Sequence, residues 1–246
     1  MIPSLHSHRK WPTRTNGVDV SRAATVYQQT AYLFPLMLLG VVVGFWPSYF
    51  MALPSTRLSF HLHSSFMLLF MVALIVQAAL FRKRQMAWHR RIGKASYVLV
   101  PLMVVFSIVV IHEVLVRDGI GPASRQRLTL PLFAVLHYAL TYGLAIYYRR
   151  QTQLHARYMI ATGLVLLYAG TLRIFINWIP WVGNPPHANF ILLEILTIAL
   201  ILNDRRLGAI RAPFVLTLAL FMSNHALYWT AADWSWWRSL AGLLRG

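Results

Sequence analysis

The residues best suited to chemistry are His63, His112, Arg173, Glu194 and His225, which reach one level once the apolar runs are drawn as membrane helices. Ionisable groups are costly inside a bilayer and tend to face one another, a cavity or a ligand. His63, His112 and His225 could give three imidazoles to one metal ion, with Glu113 or Glu194 as a carboxylate ligand or outer partner. His61 and His63 differ by about 200° around a helix, and the deeper His63 is the one expected to face inward. Arg173 lies seven residues before Pro180 and Glu194 seven beyond His187. Each is therefore about 10 Å below its helix end at 1.5 Å per residue. Opposite charges at matching depth on consecutive helices predict an Arg173–Glu194 ion pair that relieves both burial costs.

A second set belongs to the opposite face. His89 and His155 open two helices at equivalent places, each followed two residues later by an arginine. Interfacial lipid phosphate is one partner for such a pattern. Another is a cofactor, because haem iron accepts axial histidines from different helices and bundles can hold one haem near each membrane face. Haem b or a histidine-bound metal ion is thus the cofactor class to consider. His137 stands near the middle of its helix, where it either relays protons or makes one structural hydrogen bond, with the Thr141 hydroxyl as a local partner. Gln77 reads as helix-to-helix glue. No HExxH-type spacing is present, so the catalytic residues, if any, are unknown.

The elements that must position these residues are helices. Apolar residues make up 58% of the 246 positions, well above a soluble domain, which predicts an all-α polytopic membrane bundle. Seven spans can be drawn, at 31–50, 66–81, 97–111, 128–148, 158–175, 190–202 and 213–229. Alternating ten-residue segments, the mark of a membrane barrel, do not occur. Cysteine is absent, which excludes disulfides, thiolate metal sites and cysteine nucleophiles.

The net charge of +17 is explained by topology and anionic lipid rather than nucleic acid, whose aromatic-basic motifs are missing. Basic residues concentrate before span 1 and in alternate turns, among them Arg9, Lys10, Arg82, Lys83, Arg84, Arg149, Arg150, Arg205 and Arg206. The positive-inside rule then puts the N-terminus in the cytoplasm and the C-terminus outside. Residues 1–29 form a basic cytoplasmic segment leading into an uncleaved signal-anchor, 30–230 the bundle, and 231–246 a tryptophan-rich amphipathic segment lying at the outer interface.

Shifted by 66 positions, Lys83-Arg84-Gln85, His89, Arg91, Ala95 and Ser96 align on Arg149-Arg150-Gln151, His155, Arg157, Ala161 and Thr162. Either the hairpins 59–115 and 126–180 are a duplicated unit, or basic turns have converged on similar residues. The strings FWPSYF (45–50), His61-Leu62-His63, Gln77, HRRIG (89–93), His155-Ala156-Arg157 and Arg173 resemble a group of uncharacterised bacterial integral membrane proteins over spans 1 to 5. That resemblance implies a bacterial inner-membrane location and no activity.

The leading functional expectation is a membrane protein that binds haem or a metal ion through the outer-face histidines His63, His112 and His225, with a redox or sensing role. A non-catalytic accessory or assembly subunit, with membrane-protein partners or a second copy of itself, is the alternative. A third is a small-molecule or proton carrier using Arg173 and His137. An enzyme activating water at a histidine–carboxylate metal site stays open.

Overall fold

Backbone polar groups inside hydrocarbon must be satisfied within their own segment, so long apolar runs fold as helices. The computed structural model describes residues 18–119, 121–206, 212–230 and 234–243, with side chains from Tyr32 onward except at 122, 125 and 240–242. Helix α1 spans Val18–Phe45, and a single 3-10 turn covers Phe50–Ser55. Then come α2 (Leu58–Arg82), α3 (Met86–Asp118), α4 (Pro122–Tyr147), α5 (Thr152–Trp178), α6 (Pro185–Arg206), α7 (Ala212–Thr230) and the short α8 (Ser235–Leu243). No strand occurs among the described residues.

Among the described residues, five helices are long and apolar enough to cross a membrane: Leu58–Arg82, Met86–Asp118, Gln126–Tyr147, Thr152–Trp178 and Pro185–Arg206. The chain is a multi-pass helical membrane protein. Its surface agrees, since Leu36, Leu69, Val98, Leu136 and Ile195 are each more than half exposed on outward faces. Polar side chains go inward instead: Thr129, Thr141, Thr162, Asn189, Thr197 and Thr217 are fully buried. Without a hydrophobic force between lipid and protein, small and polar residues carry helix association.

Helix α5 is the axis of the bundle, buried almost without a break from Arg157 to Thr171. It packs against α1, α4, α6, α7 and, more lightly, α2. Contacts along its length fix the directions of its neighbours. Arg157 near its start meets Asp204 near the end of α6, while Thr171 near its end meets Asn189 near the start of α6. Both pairs make α5 and α6 antiparallel. The bundle therefore has a basic end, carrying Arg82, Lys83, Arg84, Arg149, Arg150, Arg205 and Arg206, and a distal end. The basic residues Arg9, Lys10, Arg14, Arg211 and Arg245 lie outside the described residues.

Asn189 accepts from the Thr171 hydroxyl at 2.5 Å and donates to the Tyr168 carbonyl at 3.1 Å, with no exposure of its own. Asn189→Ala removes both of these interhelical bonds, leaving the Thr171 hydroxyl only the carbonyls of its own helix. It is expected to cost about 1–2 kcal/mol, read as a lowered thermal midpoint in detergent.

Part of the tryptophan-rich terminal segment is seated on the bundle. Trp237 of α8 is 1% exposed and joins Ile111, Leu115 and Leu128 in a small core at the distal end, its ring 6.0 Å from that of Phe133. Trp236 remains exposed.

Candidate functional site

At the basic end the chain builds two similar corners. Helices α3 and α5 begin at Met86 and Thr152, each after a glutamine, Gln85 and Gln151. The glutamine carbonyls accept from the amides of His89 at 3.1 Å and His155 at 3.0 Å, so both histidines occupy the first turn. Side chains on a helix lean toward its N-terminus, which sends both rings back toward the preceding helix. There His89 Nδ1 lies 3.3 Å from the Gln77 carbonyl oxygen of α2, and His155 Nδ1 lies 2.8 Å from the Ala145 carbonyl oxygen of α4. The Gln77 side-chain amide donates to the His89 carbonyl at 3.0 Å, closing a reciprocal pair.

A carbonyl can only accept, so Nδ1 donates in each ring, and in neutral imidazole that leaves the lone pair on Nε2. The two rings stand close, with centroids 6.4 Å apart and planes at 77°. Exposed Lys83, Arg84, Arg90, Arg91, Lys94, Arg149 and Arg150 surround this end. The arginines that follow the two histidines differ. Arg91 lies over the Trp88 ring at 5.1 Å, whereas Arg157 turns inward onto Asp204.

The distal residues are distributed over several partners. His63 Nδ1 lies 3.3 Å from Ser107 Oγ, whose own proton goes to the Met103 carbonyl at 2.6 Å. His61 turns the other way and meets the Tyr49 hydroxyl at 3.0 Å. His112 lines a shallow recess with Arg57, Glu113, Val116 and Arg117, across which Arg57 and Glu113 are 3.5 Å apart. His225 Nδ1 binds Glu194 Oε1 at 3.0 Å, and its Nε2 faces His187 Nδ1 at 2.7 Å.

Two expectations need correction. His63, His112 and His225 are not brought together, and among the described residues no three His, Asp or Glu side chains are grouped to hold a metal ion. The helices turn these rings toward different neighbours, His63 to Ser107 and His225 to Glu194 and His187. The Arg173–Glu194 pair also does not form. Thr171 faces α6, and Arg173, two residues on, is about 200° further round the helix. Its guanidinium carbon lies 5.6 Å from the centre of the Phe45 ring on α1. Glu194 takes His225 as its partner instead.

His137 is buried at 4% exposure, with its ring 4.7 Å from that of Phe221 and Nε2 lacking a partner. The Thr141 hydroxyl donates at 2.9 Å to the His137 backbone carbonyl, not to the ring as expected.

Two residues of consequence were missed from sequence. His187 and Glu194 are seven residues apart, almost two helical turns, so they share a face of α6 on which His225 of α7 fits between them. Asp204, one of only six acidic residues, stands beside a run of arginines and looked like part of a basic turn. Compared with protein-family models, curated proteins and solved structures, the chain matches none, and the chemistry rests on the contacts described.

Proposed function

We propose that this protein is a seven-span bacterial inner-membrane protein, N-terminus in the cytoplasm, that binds haem between His89 and His155 for one-electron transfer or redox sensing. The observation that carries the reading is the pair of imidazoles with centroids 6.4 Å apart, each with Nδ1 committed to a backbone carbonyl. Metal-ligating histidines characteristically donate their second nitrogen to such a group, which orients the ring and raises the basicity of the ligating atom. Rings this close would let His89 and His155 hold one iron through their Nε2 atoms.

Charge favours haem over a bare ion. A divalent cation would be repelled by the lysines and arginines at this end, whereas the two haem carboxylates would be attracted to them. Haem held there by His89 and His155 would supply a reversible iron couple. The protein's part is to fix two imidazoles by their Nδ1 bonds and to hold the rim of positive charge. That same rim supports the cytoplasmic placement of this end and contact with anionic lipid.

The test is an absorption spectrum of the detergent-purified full chain, oxidised and then reduced with dithionite, from cells supplied with a haem precursor. A Soret band that shifts on reduction is expected. His89→Ala and His155→Ala should each lose most bound haem, while His63→Ala and His112→Ala should retain it. A colourless wild-type protein, or unchanged spectra in both inner variants, overturns the reading.

A further inference from the structure

We propose that His187, His225 and Glu194 form a proton relay between the distal surface and the interior of the bundle. His187 is exposed at the start of α6, and its Nδ1 lies 2.7 Å from His225 Nε2. His225 is half-buried, and its Nδ1 lies 3.0 Å from Glu194 Oε1. Measured along the helices at 1.5 Å per residue, the three groups stand about 3, 7 and 13 Å below the distal helix ends. Each step of the chain is a hydrogen bond, and each goes deeper.

The polarity of the chain is set by its last member. An ionised carboxylate only accepts, so His225 donates through Nδ1. The Nε2 of the neutral ring then accepts from His187 Nδ1–H. A proton taken up by His187 from water lets the Nδ1 proton pass to His225 Nε2, and the His225 Nδ1 proton passes to Glu194. The carboxylate becomes a carboxylic acid, one proton has entered and none is left over. The reverse transfers return it.

Other buried polar groups lie on the neighbouring helices. Asn224 Oδ1 on α7, Tyr168 Oη on α5 and His137 Nε2 on α4 are all buried without partners, on three helices that pack against one another. Three such orphans in one interior are unusual, and water is their ordinary partner. The aromatic wall on the other side is Phe190, stacked on His225 at 4.7 Å. Tyr168 of α5 and Tyr228 of α7 stand across Phe190, and Arg127 of α4 acts on Tyr228, so these are the titratable and charged groups facing the relay. A stable ion pair alone would need only Glu194 and His225. The exposed His187 adds a link to the surface that such a pair has no use for.

The test uses the full chain in nanodiscs and time-resolved infrared spectroscopy after a pH jump. The Glu194 carboxylate band is identified as the one lost in Glu194→Gln. His187→Ala, at an exposed position, should slow protonation of that carboxylate at least about tenfold, with recovery on adding imidazole. His225→Phe, which preserves a flat ring on Phe190, should slow it further without rescue. Equal rates in both variants and the wild type overturn the relay, as does a Glu194 carboxylate that never titrates.

Discussion

Replacing Asp204 by alanine is expected to destabilise the bundle by about 3–5 kcal/mol, the largest single loss among charged positions. Its carboxylate is 2% exposed and bound on both oxygens, by Arg157 Nε at 2.7 Å and Nη2 at 2.6 Å. The guanidinium is 6% exposed and also donates from Nη1 to the Gln153 carbonyl at 3.2 Å. Removing the acid leaves a cation with little access to water, and that desolvation, not the lost attraction, dominates the loss. Arg157→Lys should recover little, because an ammonium cannot match a planar two-pronged acceptor. The double variant Arg157→Met/Asp204→Leu should be far closer to wild type than either single change, since no charge is stranded. The measurement is the unfolding midpoint in detergent for the wild type and these variants. A loss below about 1 kcal/mol in Asp204→Ala would place the pair with solvated surface pairs.

That pair also shows where sequence reading stops. Arg157 was visible as the repeat partner of Arg91, but equivalence in sequence did not carry over to equivalence in space. One arginine lies over Trp88 and the other is buried on α6. Helices two to six were legible because long unbroken apolar runs leave the backbone one option. Register between neighbouring helices was not legible: the Arg157–Asp204 and Thr171–Asn189 contacts put Arg173 level with His187, seven residues from Glu194. Nor was azimuth. Each residue turns the helix by about 100°, so the facing of Arg173 depends on which neighbour claims Thr171, and that is a tertiary fact. The facing of His89 and His155 is set locally. A first-turn position and a short hairpin turn each ring toward the helix just before it, whatever the rest of the bundle does.

Gly170→Ala is expected to cost about 1–3 kcal/mol through a clash of backbones. A Cβ on Gly170 would stand 2.6 Å from Val41 Cα and 3.1 Å from its nitrogen, so no side-chain adjustment can make room. Gly44 on the facing helix is in the reciprocal position, its added Cβ meeting the Gly170 carbonyl. Gly40 and Gly44 are spaced four apart, a pattern that lets two membrane helices approach closely, and it was present in the sequence without being used. Close approach here also brings two side-chain donors within reach of α1. Asn177 Nδ2 donates to the Gly44 carbonyl at 3.1 Å and Trp178 Nε1 to the Val43 carbonyl at 3.0 Å. Pushing the helices apart would stretch both bonds, so the loss should exceed that of a clash alone, and Trp178 fluorescence should report the change. Gly143 is the control, because a Cβ there meets nothing within 4 Å and the position is exposed in mid-helix. Gly143→Ala should stabilise the protein by up to about 1 kcal/mol through helix propensity. The same added methyl group thus has opposite signs at two glycines of one bundle. An unchanged midpoint for Gly170→Ala would mean that α1 is not seated on α5.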